Sequence, residues 1–278
     1  MLKQRIITAL VLLAVFLPAL FHSDVRWLAG AGLCLVTLAA WEWGNLNQLS
    51  SVRSVLLACL CLSLCIAVWV ADTNFLQLLP LWSVVSFSWL VLLGFFLVKG
   101  IDRWRLTSVF FKNLVGVVLL IATWLALFQS KTIDSAYLVS VLLLVWTADI
   151  SAYFAGRKWG KHKLAPAISP GKSIEGLLGA LVGTVVLAVG WLLLQDRFPA
   201  DIGVNIFAKL YSHGVFSLVF GVLFLTIVSA AGDLFESLIK RAAGMKDSSQ
   251  LLPGHGGVLD RLDAILPTLP LALTLYLL

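Results

Sequence analysis

Nine charged side chains lie between Asp233 and Asp263, in a chain of 278 residues of which only 12% are charged. An ionisable group at membrane depth is costly, so a charged island among apolar segments indicates a use for it. Asp233, Asp260 and Asp263 offer the carboxylate oxygens that a hard divalent cation such as Mg²⁺ prefers. The basic residues of this C-terminal polar segment (residues 233–263) can hold phosphate oxygens: Lys240, Arg241, Lys246 and Arg261.

Helical spacing places the first of these residues on one face. Asp233, Ser237 and Lys240 are separated by four and three residues, so an α-helix puts them on the same side, with Arg241 beside them. No histidine lies at helical spacing from Ser237, although His255 can reach it through folding of the loop. We therefore expect Ser237 to act as a hydrogen-bond donor or metal ligand and not as a nucleophile.

A glycine-rich turn separates this helix from the next. The first helix is expected to end near Gly244, and the turn at residues 253–257 precedes a second helix. Glycine lacks a Cβ, so the amides of this turn can approach an anion closely. Asp260 and Asp263 then fall three residues apart in the first turns of the second helix, where the helix dipole favours carboxylates. Antiparallel packing of the two helices would bring both acids close to Asp233.

A central polar segment, residues 149–175, has a similar character. Asp149 lies inside an apolar run, which marks it as a functional candidate. The run 171–173, Gly-Lys-Ser, resembles the end of a P-loop, but Pro166 stands where that motif needs its first glycine. An anion can still bind the lysine, the serine and the helix N-terminus that follows. The basic residues near Arg157 can equally serve to set the orientation of the chain in the membrane or to contact lipid headgroups. The candidate ligand-binding residues here are Asp149, Arg157, Ser169, Lys172, Ser173 and Glu175.

Apolar runs of membrane-spanning length recur along the whole chain, 60% of which is hydrophobic. This composition predicts an all-α, polytopic integral membrane protein with about nine transmembrane helices. We divide it into residues 1–130, which carry no recognisable chemistry, and residues 131–278, which carry both polar segments, within one membrane domain. The predicted spans are 6–22, 27–43, 55–71, 80–98, 113–129, 135–156, 173–194, 214–238 and 258–278.

The distribution of Lys and Arg indicates the orientation. With nine spans and a cytoplasmic N-terminus, inside segments hold 16 of the 20 basic residues and outside segments hold Arg26, Lys131, Arg197 and Lys209. Positive residues concentrate in cytoplasmic loops, so the N-terminus is predicted to be cytoplasmic and the C-terminus outside. Both polar segments then face the cytoplasm.

Small and aromatic residues complete the prediction. Gly179 and Gly183 form a G-x-x-x-G pattern, which favours close helix packing within the chain over a homodimer seam, the alternative use. The tryptophans near predicted helix ends suit the membrane–water interface, as does Glu42 between two of them. These tryptophans are Trp27, Trp41, Trp43, Trp82 and Trp159.

The C-terminal polar segment resembles a known signature. The run from Ser237 to Arg241, the pair Lys246-Asp247 and the run from Pro253 to Asp263 are similar to the signature of phosphatidate cytidylyltransferases, or CDP-diacylglycerol synthases. The resemblance implies transfer from CTP to phosphatidate, giving CDP-diacylglycerol and pyrophosphate with Mg²⁺. It also implies an enzyme of phospholipid biosynthesis in the bacterial cytoplasmic (inner) membrane, with CTP, phosphatidate and membrane lipid as partners and no nucleic acid.

Each candidate residue takes a role in this interpretation. The metal ligands are Asp233, Asp260 and Asp263, and Gly256 and Gly257 join the ligand-binding residues of the central polar segment. The catalytic residues are expected to be Ser237, Lys240, Arg241, Lys246, Asp247, His255, Asp260, Arg261 and Asp263.

Two other functions fit part of the sequence. A CTP-dependent lipid kinase needs a similar polar set, and a membrane transporter needs polytopic helices with intramembrane acids. Against a transporter, the polar residues cluster at one end of the last spans without matching broken helices in an inverted half. A CDP-alcohol phosphotransferase is disfavoured because the chain lacks a D-G-x-x-A-R run.

Overall fold

The computed structural model describes residues 2–71, 78–198 and 203–278, and these residues form a bundle of helices with one small hairpin. The side chains of Lys3 and Arg5, which the charge count used, lie outside the described part. The elements are α1 (Leu2–Phe21), α2 (Val25–Leu46), α3 (Ser51–Val70), α4 (Leu79–Leu106), α5 (Val109–Ile133), α6 (Ser135–Trp159), β1 (Lys163–Ala165), β2 (Ser169–Ser173), α7 (Ile174–Arg197), α8 (Ile206–Ser212), α9 (Val215–Ala242), α10 (Leu259–Leu262) and α11 (Ile265–Leu277).

Seven of the described helices, α2 to α7 and α9, are long and apolar enough to cross a membrane. They confirm the predicted all-α, polytopic architecture. The predicted last span, 258–278, is not one helix, because α10 and α11 are separate and α11 has 13 residues. At 1.5 Å per residue α11 extends about 20 Å, less than the roughly 30 Å of a hydrocarbon core. The total of nine spans and the side of each terminus stay predictions.

Polar caps explain where several helices begin. Ser50, Asp134 and Ser173 precede α3, α6 and α7, and each side chain accepts a hydrogen bond from a backbone amide of the first turn. Such a bond satisfies one of the amides that a helix leaves unpaired at its start. In α4 the chain turns at Gly100, whose φ of 76° is in the left-handed region that glycine adopts readily. The transmembrane part of α4 therefore ends close to the predicted residue 98.

The glycines of α7 pack against α6. A Cβ on Gly179 would lie 2.2 Å from the Ala155 Cβ, and one on Gly183 would lie 2.1 Å from the Ser151 Oγ. Only glycine permits this approach, so the predicted use of the G-x-x-x-G pattern within the chain is confirmed. The homodimer stays untested. The close contact brings the two ends of the central polar segment together.

Aromatic side chains fill the bundle between the N-terminal and C-terminal helices. Trp43 and Trp82 are buried, so the interface interpretation of these two tryptophans is wrong, whereas exposed Trp27 and Trp159 agree with it. Trp43 is drawn inside because its indole N–H donates to the Lys112 carbonyl at 2.9 Å, which satisfies its polar end. The burial of large aromatics makes this region a major part of the packed core.

The C-terminal helices that carry the polar residues are held by N-terminal helices. Arg105, beyond the turn in α4, donates to the carbonyls of Arg241 and Ala242 at the end of α9. A cation is favoured at this end of the helix dipole. Helix α11 packs against α4, α5 and α9. The two parts on either side of residue 130 therefore share one core. The division between them describes only which part carries the candidate functional residues.

Candidate active site

The two polar segments are in direct contact. The Lys172 Nζ lies 2.6 Å from the Asp233 Oδ2 and donates to the Ala230 carbonyl at 3.3 Å, which joins the central segment to α9. Arg241 makes a second connection, because its Nε donates to the Ile168 carbonyl at 3.3 Å. The two polar segments therefore border one region of the molecule.

A short hairpin presents Lys172. Strands β1 and β2 are antiparallel, with Lys163 opposite Ser173. Glu175 accepts hydrogen bonds from the amides of Lys161 and His162, and Ser173 caps α7 through the Gly176 amide. Ser173 and Glu175, predicted to bind a ligand, therefore hold the hairpin in place. Ser169, at the start of β2, is half-buried.

A cavity of about 410 Å³ opens where α6, α7 and α9 meet. Its lining contains four charged side chains, those of Asp149, Arg157, Lys172 and Asp233, and is otherwise mostly apolar. Such a pocket can bind a ligand that has a charged head and an apolar body. The apolar lining residues include Ala148, Ala152, Leu164, Leu177, Ala180 and Ala230.

A buried ion pair anchors the start of α10. The Lys240 Nζ donates to the Asp260 Oδ1 at 2.5 Å and also pairs with Glu236 one turn earlier. Burial acts to raise the pKa of Asp260, but the hydrogen bonds from Lys240 and from the Gly257 and Ser248 amides outweigh it and hold the pKa below its usual value. Asp260 is therefore a carboxylate whose oxygens are engaged by the protein.

Lys240 pairs with two carboxylates at once. An ammonium group has three protons, and Glu236 and Asp260 engage two of them, so one remains for a phosphate oxygen. Ser237 lies on the same face, with its Oγ 3.4 Å from the Asp233 Oδ1. The helical grouping predicted for these residues is present in α9.

The carboxylates of Asp149, Asp233 and Asp263 lie near enough to repel one another. Lys172 pairs with Asp233, and the cations of Lys240 and Arg261 also act on this group of acids. No three His, Cys, Asp or Glu side chains of the described residues are grouped to hold a metal ion by themselves. Mg²⁺ usually takes one or two carboxylates, with substrate phosphates and water completing its shell, so Asp233 and Asp263 suit it. Asp260 differs from them, because Lys240, the Ser248 hydroxyl and the backbone amides of Ser248 and Gly257 all donate to its carboxylate.

The α9–α10 loop, residues 243–258, contains the predicted glycine-rich turn. Gly254 and Gly256 have φ values of 78° and 83°, which glycine adopts readily. The Gly256 carbonyl accepts from the Leu252 amide, and the Gly257 amide donates to Asp260 at 2.8 Å. These glycines therefore shape the loop. The His255 Nδ1 is buried and has no hydrogen-bond partner among the described residues, so it can serve a bound ligand.

The remaining predicted residues lie at the exposed rim. Lys246 and Asp247 are exposed in the α9–α10 loop, while Arg261 donates to the His255 carbonyl at 2.9 Å. The Arg157 guanidinium lies 3.3 Å from the Tyr153 hydroxyl at the cavity edge. Exposed cations at such a rim can attract phosphate groups without being fixed by them.

Sequence reasoning did not assign Glu42, in α2, to this region. We expected it at the membrane interface, yet it is fully buried and its carboxylate binds the α9–α10 loop. The signal was present, because Glu42 is an acid within an apolar run, the criterion that singled out Asp149. We assigned Glu42 to the membrane interface because tryptophans stand on both sides of it in the sequence.

Comparison with known proteins places these features in a family. The family model described as "Cytidylyltransferase family" matches residues 3–278. The chain belongs to the cytidylyltransferase family. Its relatives include proteins named phosphatidate cytidylyltransferase from Pseudomonas aeruginosa, 35% identical over 97% of this chain and 95% of the relative, and from Haemophilus influenzae, 34% identical over 97% and 96%. One from Staphylococcus aureus is 32% identical, again over 97% and 96%.

This cytidylyltransferase match confirms the resemblance seen in the C-terminal polar segment and extends it. The signature covers only part of the chain, whereas the similarity covers 97% of it. The N-terminal helices, which carry no recognisable motif, thus belong to the shared architecture of the family. Their contacts with α9, α10 and α11 give a physical reason, because they hold the helices that bear the polar residues.

Proposed function

We propose that the protein is a phosphatidate cytidylyltransferase, which converts CTP and phosphatidate into CDP-diacylglycerol and pyrophosphate. The observation that carries this proposal is the Lys172–Asp233 contact, which joins both polar segments at the head of a cavity with apolar walls. Family membership supports the use of a cytidine nucleotide, and the names of the relatives support phosphatidate as the acceptor.

The cavity suits the lipid substrate. Arg157 and Lys172 supply positive charge for its phosphate, and the apolar walls from α6 and α7 accommodate the start of its acyl chains. Both helices present exposed apolar side chains, such as Phe154 on α6 and Val182 on α7, so they also suit contact with bilayer lipid. Phosphatidate can therefore approach from the membrane while its headgroup stays at the polar end.

The reaction is an in-line nucleotidyl transfer. A phosphate oxygen of phosphatidate forms a bond to the α-phosphorus of CTP, and the bond from that phosphorus to the oxygen bridging to the β-phosphate breaks. Pyrophosphate leaves with the electron pair. A phosphate monoester is largely ionised near neutral pH, so no strong general base is needed. The chain contributes orientation and positive charge, the latter through Lys172, Arg241 and the remaining proton of Lys240.

We further propose that Mg²⁺ takes part. Carboxylate oxygens are the ligands that Mg²⁺ prefers, and Asp233 and Asp263, which lie near each other, would hold the ion together with substrate phosphates. When bound, the ion supplies neutralisation of charge on the phosphates. Asp260 has a different task in this proposal, which is to orient Lys240 and the α9–α10 loop.

The same proposal includes location. Seven long apolar helices identify an integral membrane protein, and the excess of Lys and Arg in predicted inside loops favours an active site that faces the cytoplasm. CTP is a cytoplasmic nucleotide, so this orientation gives the site access to it. The bacterial relatives support the cytoplasmic membrane as the location.

A comparison of acceptors tests the function. Purified protein in detergent is given CTP and Mg²⁺ with either phosphatidate or diacylglycerol, and both pyrophosphate and CDP are measured. We expect pyrophosphate release with phosphatidate only. CDP release with diacylglycerol would identify a lipid kinase instead. Inactivity with both lipids, together with solute flux in vesicles, would support the transporter interpretation.

A further inference from the structure

Glu42 is a buried carboxylate that no part of the reaction described above uses. Its side chain comes from α2 and is fully buried. The hydrogen bonds that it accepts from described residues all come from the region around the α9–α10 loop. The Val258 amide and the Ser249 hydroxyl donate to Oε1 at 2.9 and 2.5 Å, and the Leu259 amide donates to Oε2 at 2.7 Å. A buried charge is stable only when it is well bonded, as Glu42 is.

Glycine at position 257 makes this approach possible. A Cβ on Gly257 would lie 2.4 Å from the Glu42 Oε1 and 2.0 Å from the Ser248 Oγ. Both distances are shorter than a non-bonded contact allows, so a larger residue would displace the carboxylate. The chain therefore brings Glu42 to the backbone of the loop, next to the predicted ligand-binding turn.

Ser248 connects Glu42 to the ion pair of the active site. Its Oγ lies 3.1 Å from the Glu42 Oε2 and 2.8 Å from the Asp260 Oδ2, and its single proton can serve one of them at a time. The Ser248 amide also donates to Asp260 at 2.9 Å. Displacement of the loop from Glu42 would thus move two of the groups that orient Asp260, and with it Lys240.

We propose that Glu42 is a positioning residue, which holds the α9–α10 loop and the start of α10 in the arrangement that the reaction needs. A second contact from the N-terminal helices supports this, because the Thr8 hydroxyl donates to the Pro253 carbonyl at 2.9 Å. The effect of Glu42 on turnover rests on the proposed function. The effect of Glu42 on the α9–α10 loop does not, so each of these two effects can be refuted without the other.

Hydrogen–deuterium exchange with steady-state kinetics tests the proposal on Glu42→Gln in the full-length protein. Gln keeps the size of Glu but turns an N–H group toward amides that need an acceptor. We expect amides between residues 248 and 262 to exchange on the order of tenfold faster. We expect kcat with CTP and phosphatidate to fall on the order of 10–100-fold, the usual effect of losing a group that orients reactive residues.

Asp134→Asn is the matched control. Asp134 also accepts two backbone amides, those of Ala136 and Val204, but at the opposite end of α6 from Arg157. This variant is expected to lower the unfolding temperature while leaving kcat and the exchange of residues 248–262 unchanged. Unchanged exchange or unchanged kcat in Glu42→Gln, or equal effects of both variants, would overturn the proposal.

A milder variant keeps the test decisive if Glu42→Gln does not fold. Ser249→Ala removes one donor to Glu42 and leaves the two amide contacts in place. We expect faster exchange confined to the α9–α10 loop and a fall in kcat on the order of three- to tenfold. Wild-type exchange and kcat in Ser249→Ala would count against Glu42 as the group that positions the loop. Loop exchange is measurable without turnover, so an inactive wild type would refute the function without deciding this point.

Discussion

Lys240 on α9 and Asp260 on α10 form a buried ion pair, with 2.5 Å between Nζ and Oδ1. The pair connects the two ends of the α9–α10 loop and leaves one proton of Lys240 for a phosphate oxygen. Lys240 and Asp260 therefore bind each other, and this contact holds α9 and α10 together in addition to any contact with substrate.

Loss of the acid in this pair should stop the reaction. In Asp260→Asn, Lys240 keeps Glu236 but loses the carboxylate that orients it, and we expect turnover to fall at least about 100-fold. The protein should still fold, as size-exclusion chromatography in detergent can show. If Asp260 acts through Lys240, the double variant Lys240→Met/Asp260→Asn should be no worse than the worse single variant. Near-normal turnover in Asp260→Asn would refute this role.

Lys172 should matter for substrate binding. Lys172→Met removes the cation that pairs with Asp233 at the head of the cavity, so we expect KM for phosphatidate to rise at least about tenfold. Lys163→Met is the control, because Lys163 is an exposed lysine of the same hairpin. Initial-rate kinetics on both variants measure the difference. Equal KM values for the two variants would show that the Lys172 contact has no part in binding.

The α6–α7 contact should be intolerant of any added side chain. Gly179→Ala places a methyl group 2.2 Å from the Ala155 Cβ, and such overpacking costs about 1–3 kcal/mol. Gly190→Ala, in the same helix, meets no atom within 4 Å and should be neutral or stabilise the helix by about 0.5–1 kcal/mol. Thermal unfolding in detergent compares them. A similar unfolding temperature for both variants would contradict the tight packing of α6 on α7.

Removal of the divalent cation should abolish turnover. We expect EDTA to stop the reaction and added Mg²⁺ to restore it, because the ion would neutralise charge on the phosphates during transfer. Asp233→Asn and Asp263→Asn should raise the Mg²⁺ concentration that gives half-maximal rate. Asp196→Asn, at the exposed far end of α7, should leave it unchanged. Full activity in EDTA would refute the metal proposal.

The candidate site residues that could be predicted from the sequence are mainly charged residues within apolar segments, where burial of a charge is costly. Asp149 and the acids of the C-terminal segment stand out in apolar surroundings, and the spacing of Asp233, Ser237 and Lys240 places them correctly on one face of α9. Close packing of Gly179 and Gly183 within the chain was also predicted from their spacing, whereas the partner helix, α6, is known from the structure.

Partners distant in the chain could not be predicted from spacing. Glu42 lies more than 200 residues before the loop that it binds, and only the folded bundle brings them together. The roles of Ser173 and Glu175 in holding the hairpin depend on the turn between β1 and β2, which has no helical period. For Trp43 and Trp82, composition alone could not distinguish a membrane interface from a packed core.

Transfer of label from CTP tests the central claim most directly. Purified protein receives phosphatidate, Mg²⁺ and CTP labelled with ³²P at either the α- or the γ-phosphate, and the lipid products are separated. We expect the α label to enter the lipid and the γ label to leave as pyrophosphate. A lipid product that carries the γ label, or none that carries the α label, would contradict the proposed function.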